Sequence, residues 1–237
     1  MTEAQSRHIV TAFDQDLKAI DASIAEMGGI AEEQLGNALE AVRHRDIALA
    51  REVVAADLRL DRLEMRLEEA AIQTLALRQP VADDLRAVVA ALKVSSTLER
   101  IGDLAKNIAK RAQYLSEGEP MRIAHSILRM GKQAQAQFTE GLDAYTARDA
   151  DLAVSVWRRD VEVDEMYNSL FRELITYMME DPRVIGTCSQ LLFIAKNLER
   201  IGDHATFIAE MTYFVVKGRP LDDPRPKGDP FGDLPEL

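Results

Sequence analysis

The chain has 237 residues, of which 47% are hydrophobic, and its formal net charge is −11. Such a composition is typical of a soluble globular protein with a core of ordinary size, and the acidic charge argues against nucleic acid or an anionic membrane surface as a direct partner. Cys188 is the single cysteine, which excludes an intrachain disulfide and a thiolate metal cluster and favours a reducing compartment, by default the cytoplasm. No apolar stretch is long enough to span a bilayer, so membrane association is expected only through a partner.

Apolar residues at helical spacing predict six long helices, three in each half of the chain. The first three are expected from about Ser6 to His44, from the N-cap Asp46 to just before Pro80, and from Asp83 or Asp84 to about Gly118. The next three are expected from Met121 to about Thr146, from the N-cap Asp149, and from the pair Asp181-Pro182. The sequence therefore predicts an all-α fold.

One hexapeptide, Leu-Glu-Arg-Ile-Gly-Asp, occurs twice, at residues 98–103 and 198–203. Four upstream residues recur 103 positions later, where Asp46, Val53, Asp57 and Asp61 are followed by Asp149, Val156, Asp160 and Asp164. This duplication predicts two tandem three-helix bundles, residues 1–118 and 119–217, followed by a Pro- and Gly-rich tail at 218–237.

Each half carries two acidic pairs spaced four residues apart, which places both carboxylates of a pair on one face of a helix, about 5 to 6 Å from each other. The pairs are Glu99 with Asp103, Glu199 with Asp203, Asp57 with Asp61, and Asp160 with Asp164. With 40 acidic residues in the chain, chance supplies several such pairs, but not four at two matched registers. Because like charges repel, the arrangement favours a bound cation, and oxygen ligands suit magnesium, manganese or iron, with zinc possible.

A solvated helix face is the alternative interpretation, since Arg100 and Arg200 could pair with Asp103 and Asp203. A di-iron oxidase requires Glu-x-x-His pairs, and none of the four histidines has a glutamate three residues before it. The chain also has no phosphate-binding glycine loop and no plausible catalytic triad, so we predict that it is not an enzyme. His204 is either an additional ligand or an exposed histidine.

These motifs resemble the PhoU family, the accessory regulators of bacterial phosphate-specific transport. The resemblance rests on both hexapeptides, on Asn107-Ile108-Ala109 and His204-Ala205 after them, and on Arg78-x-Pro80 and Asp84-Leu85-Arg86 before the first. It implies two three-helix bundles related by pseudo-twofold symmetry, a homodimer, and metal clusters of divalent or trivalent iron, zinc, manganese or magnesium. Carried over residue by residue, the implied ligands are Glu99, Asp103, Glu199 and Asp203, then Asp57, Asp61, Asp160 and Asp164, with His204 and Asn107 as possible additions.

The resemblance also implies a role. It is that of a cytoplasmic, non-enzymatic negative regulator of the phosphate-starvation response, an adaptor between the ATPase of the phosphate ABC transporter and a membrane sensor histidine kinase. The alternative function is a metal-binding helical scaffold with another phosphate-linked client.

Two departures from the family pattern distinguish the halves. Leu104 stands where the family usually has histidine, and Phe207 stands where it usually has asparagine. Since Asn107 offers a polar group to the first half and His204 an imidazole to the second, we expect unequal metal sites. The first should prefer magnesium or manganese, and the second should bind a transition metal or stand empty.

Overall fold

The computed structural model describes residues 3–116 and 121–222, with side chains from Phe13 onward. Within these ranges the chain is all-helical, as predicted, and has no strand. The helices are α1 (Glu3–His44), α2 (Ile47–Arg78), α3 (Ala82–Leu115), α4 (Ala124–Ala147), α5 (Ala150–Arg158), α6 (Asp160–Glu180) and α7 (Ile185–Lys217), with a 3-10 helix at Pro182–Val184 before α7.

The helix ends follow local side-chain chemistry. The side chain of Asp46 accepts a hydrogen bond from the Leu49 N–H at 3.0 Å, and that of Asp149 accepts from the Leu152 N–H at 3.0 Å, so both predicted N-caps are confirmed. At the end of α2, Gln79 adopts a left-handed conformation with φ of 47° directly before Pro80. The predicted cap Asp181 accepts from the Arg183 N–H at 3.0 Å and begins the 3-10 helix that leads into α7.

The fifth predicted helix is interrupted once, at Arg159. There the N–H of Arg159 bonds to the carbonyl of Val156 at 3.2 Å, which tightens the turn, and α6 begins at the next residue. That residue, Asp160, is 1% exposed and faces α7. α5 and α6 together therefore correspond to the single helix α2 of the first half.

The hexapeptide helices α3 and α7 lie at the centre of the molecule. α3 packs against α1 and α2, α7 packs against α4, α5 and α6, and α3 and α7 also pack against each other. The apolar residues of both hexapeptides are fully buried at 0% exposure, namely Leu98, Ile101, Leu198 and Ile201. One continuous apolar core therefore runs through both halves.

A reciprocal contact between α1 and α4 reveals the pseudo-twofold relation of the halves. A Cβ atom on Gly28 would lie 3.1 Å from the side chain of Leu142, and one on Gly131 would lie 2.4 Å from the side chain of Leu39. Gly131 and Leu142 follow Gly28 and Leu39 by the same 103 residues that separate the sequence repeats. A contact made twice with its partners exchanged is the signature of a twofold axis.

No helix of the described ranges is long and apolar enough to cross a membrane. The predicted boundary between residues 118 and 119 lies outside the described residues, and so does the predicted tail beyond residue 222.

Candidate functional site: two carboxylate clusters

The glycine inside the first hexapeptide brings two helices close together. A Cβ atom on Gly102 of α3 would lie 2.5 Å from the Leu60 side chain of α2 and 2.8 Å from the Gln34 amide oxygen of α1. Only glycine permits this approach without displacement of a neighbour. The contact places the acidic face of α2 beside Glu99 and Asp103.

The first carboxylate cluster, Glu99, Asp103, Asp57 and Asp61, is thus assembled from α3 and α2. Burial raises the pKa of Glu99 from 4.5 to about 7, and neighbouring negative charges add to the shift. In decreasing order of effect these neighbours are Asp103, Glu64, Asp61 and Asp57. The four predicted residues of this half therefore lie together, and Glu64 of α2 joins them.

A lysine lies inside the first cluster. Lys106, three residues after Asp103 on α3, donates hydrogen bonds to Asp103 and to Asp57 of α2. Asp57 is 7% exposed, so this contact neutralises a carboxylate that has little access to water. Burial alone would lower the pKa of Lys106, but the bonds to Asp103 and Asp57 and their negative charge raise it above its ordinary value. The ammonium group therefore stays charged.

The second carboxylate cluster, Glu199, Asp203, Asp160 and Asp164, joins α7 to α6. Burial raises the pKa of Glu199, the Lys196 ammonium lowers it, and the charges of Asp203 and Asp164 raise it further. Lys196 approaches Glu199 at 2.7 Å from the solvent side, with 47% of its own side chain exposed. The counter-ion of this cluster thus lies at its edge.

Thr206 holds the position in α7 that Lys106 holds in α3. Its hydroxyl donates to the Asp160 carboxylate at 2.7 Å and accepts from the Gln137 amide of α4 at 3.1 Å. Thr206 is 0% and Gln137 1% exposed, so this network is fully buried. Within the described part of the chain, the Gln137 amide oxygen has no hydrogen-bond partner.

In the first half all four predicted carboxylates interact; in the second half Glu199 interacts with Asp203 and Asp164, and Asp160 reaches α7 through Thr206. The possible additional ligands Asn107 and His204 are half-buried on the same helices. Sequence reasoning missed Lys106 and Thr206, and the solvated-face interpretation named Arg100 where Lys106 is the partner of Asp103. The sequence repeat contains a signal for both residues. Positions 106 and 206 correspond to each other, and one holds a charged side chain and the other an uncharged one.

Oxygen donors on neighbouring helices match the preferences of hard cations. Across residues 3–116 and 121–222, however, no three His, Cys, Asp or Glu side chains are already converged on one point that would hold a metal ion. Metal binding therefore stays a prediction.

The PhoU domain family matches this chain twice, at residues 24–112 and 127–212. The chain belongs to the PhoU family. Each PhoU domain contains one hexapeptide and one carboxylate cluster, although the exact domain boundaries stay a prediction.

Relatives match almost the whole chain. The phosphate-specific transport system accessory protein PhoU homolog of Caulobacter vibrioides is 53% identical over 225 residues, which are 94% of this chain and 98% of that protein. The homolog of Rhizobium meliloti is 46% identical and covers 94% of both chains. The crystal structure of PhoU from Pseudomonas aeruginosa is 40% identical, with a TM-score of 0.85, and covers 87% of this chain and 100% of its own. That of the phosphate transport system regulatory protein PhoU from Streptococcus pneumoniae is 28% identical, with a TM-score of 0.82, and covers 89% and 99%.

Proposed function

We propose that this chain is an accessory protein of a phosphate-specific transport system and a negative regulator of the phosphate-starvation response. The observation that carries the proposal is the match of both PhoU domains, together with relatives of that name that align over nearly their full length. In this proposal the protein acts in the cytoplasm without enzymatic activity, as an adaptor between the transporter ATPase and a membrane sensor histidine kinase.

A gene deletion tests the regulatory role. In a strain that lacks the chain, we expect genes of the phosphate-starvation response to be expressed even in phosphate-rich medium, and the wild-type chain should restore repression. Correct repression without the chain would refute the regulatory role and favour a scaffold with another phosphate-linked client. Co-purification of the tagged chain with the transporter ATPase and the sensor kinase tests the adaptor role separately.

We further propose that the second carboxylate cluster holds a divalent or trivalent ion, with His204 as an additional ligand. Support comes from its oxygen donors on α6 and α7, and from the uncharged Thr206 that stands between these helices. A bound ion would offset part of the negative charge of the cluster and tie the two helices together. Elemental analysis of protein purified without chelators tests this: Asp203→Asn should lower the metal content, and unchanged content would contradict the site.

We also propose that the chain forms a homodimer through the exposed face of α2. Three apolar side chains recur there every seven residues and are 55 to 60% exposed, namely Leu58, Met65 and Ile72. Seven-residue spacing is that of a helix seam. If two copies of α2 pack antiparallel about Met65, Leu58 of one copy faces Ile72 of the other, and exposed Arg62 faces exposed Glu68. The apolar side chains and this charged pair are therefore placed to meet their own counterparts, as a twofold interface requires.

Light scattering tests the dimer. Met65→Glu should give a monomer, whereas the control Met179→Glu, at a side chain 80% exposed on α6, should not. Arg62→Glu alone should weaken the dimer, and the added Glu68→Arg should restore it. A wild-type chain that is monomeric at micromolar concentration would refute this interface.

A further inference from the structure

The two carboxylate clusters differ in the residue that stands between their helices. In the first cluster that residue is Lys106, whose ammonium group binds Asp57 of α2 and Asp103 of α3 together. A metal ion that bridged these helices would occupy the same place. In the second cluster the corresponding residue, Thr206, is uncharged and binds Asp160 through its hydroxyl.

We propose that Lys106 is the built-in cation of the first carboxylate cluster and keeps that cluster closed to metal ions. A protonated lysine has three donor hydrogens and no acceptor, so it cannot be a metal ligand. It would instead place a positive charge beside any incoming ion and hold two of the ligands that the ion needs. The first half is therefore a lysine-closed copy of a metal site.

Burial makes the closure persistent. Lys106 has 20% of its side chain exposed, and the side chain of Asp57 has 10%. A cation from solution could readily displace a lysine that lies on the surface. Lys106 lies between two helices, and to make room for an ion its side chain would have to leave Asp57, which is buried. These contacts argue against the expectation that the first half prefers magnesium or manganese. An ion bound by Asn107 and the carboxylates would lie close to the positive charge of Lys106.

Manganese binding to the purified chain tests the closure, and it is independent of any regulatory partner. Wild type, Lys106→Gln and Lys106→Thr are compared by electron paramagnetic resonance titration and by elemental analysis after dialysis, with circular dichroism as the check on folding. Both variants should bind about one more Mn²⁺ per chain than wild type, or bind it ~10-fold more tightly, because a unit charge near a divalent ion repels it strongly. Lys106→Gln keeps a donor for Asp57, so it covers the case in which Lys106→Thr does not fold.

Lys110→Thr is the matched control, since it removes an exposed lysine one turn further along α3. It should bind Mn²⁺ as wild type does. In wild type, Asp103→Asn should leave the metal content unchanged. The proposal is overturned if Lys106→Gln and Lys106→Thr bind no more Mn²⁺ than Lys110→Thr, or if wild type loses metal on Asp103→Asn. Loss of the regulatory function in cells would not change either result, so the two proposals fail separately.

Discussion

The two halves share a hexapeptide, a fold and a set of four carboxylates, yet they neutralise those carboxylates differently. The first half places Lys106 between its helices, and Glu99 keeps a raised pKa. The second half keeps its lysine at the edge, where Lys196 meets Glu199, and uses the neutral Thr206 inside. Identical motifs thus do not make identical sites, because residues one turn away decide the charge.

The largest expected effect is in the buried network of the second half. Thr206→Val keeps the shape of the side chain but removes the donor to Asp160 and the acceptor for Gln137. We expect the free energy of unfolding to fall by about 2 kcal/mol, since a lost bond to a buried charged group is expensive.

Urea unfolding at pH 7 with a chelator measures this loss. Thr212→Val is the control, because Thr212 is also 0% exposed but bonds only to a carbonyl of its own helix. If the two variants lose the same stability, the hydrogen bonds of Thr206 to Asp160 and Gln137 contribute no more than a bond within one helix.

A glycine-to-alanine substitution should lower the stability of the protein in the first hexapeptide and raise it in the second. Gly102→Ala should destabilise the protein by about 1 to 2 kcal/mol, because its Cβ would lie 2.5 Å from the buried Leu60 side chain. A Cβ on Gly202 would lie 3.4 Å from Val163, an ordinary contact. Gly202→Ala should therefore gain up to about 1 kcal/mol from helix propensity. Thermal unfolding of both variants checks this, and equal shifts in Tm would show that α2 and α6 pack equally closely.

Stability should depend on pH through Glu99. Its pKa is about 7 in the folded chain and 4.5 ordinarily, so between these values the folded state binds more protons than the unfolded state. Stability contributed by this group is then lost as the pH rises from 4.5 to 7. Because Glu99 is half-buried, solvent screening reduces the effect to about 1 kcal/mol.

Glu99→Gln should therefore be more stable than wild type at pH 8 and equal to it near pH 4.5, both measured by urea unfolding in chelator. Glu199→Gln should gain less at pH 8, since Lys196 already opposes the rise of the Glu199 pKa. A gain for Glu99→Gln that is the same at every pH would rule out titration as its cause.

The smallest effect is expected at Lys196. Replacing it with serine, the residue at the matching position 96, should cost less than about 1 kcal/mol, because solvent screens Lys196, whose side chain is 47% exposed, although that of Glu199 is only 15% exposed. Chemical unfolding in low and high salt provides the measurement. A loss above about 1 kcal/mol would contradict this screening and show that the mostly buried Glu199 depends on Lys196.

Much of this architecture could be predicted from the sequence, because helices and caps depend on local patterns. The N-caps Asp46 and Asp149 are where the pattern indicates, and each acidic pair lies within one helix, whereas the metal site stays a prediction. The break at Arg159 was not predictable, since neither Gly nor Pro stands near it. The repeat shows that positions 106 and 206 differ in charge, but the contact of Lys106 with Asp57 was not predictable, because it depends on how closely α2 packs against α3.

The exchanged contacts of Gly28 with Leu142 and of Gly131 with Leu39 suggest how such a chain could arise. A single ancestral unit would have carried both the leucine and the glycine against which it packs. Two copies of this unit would have paired before their genes fused. The first half on its own should therefore still associate with a second copy of itself. Light scattering of residues 13–116 carrying Met65→Glu, which removes the proposed dimer face of α2, tests this, and a strictly monomeric, folded fragment would contradict this history.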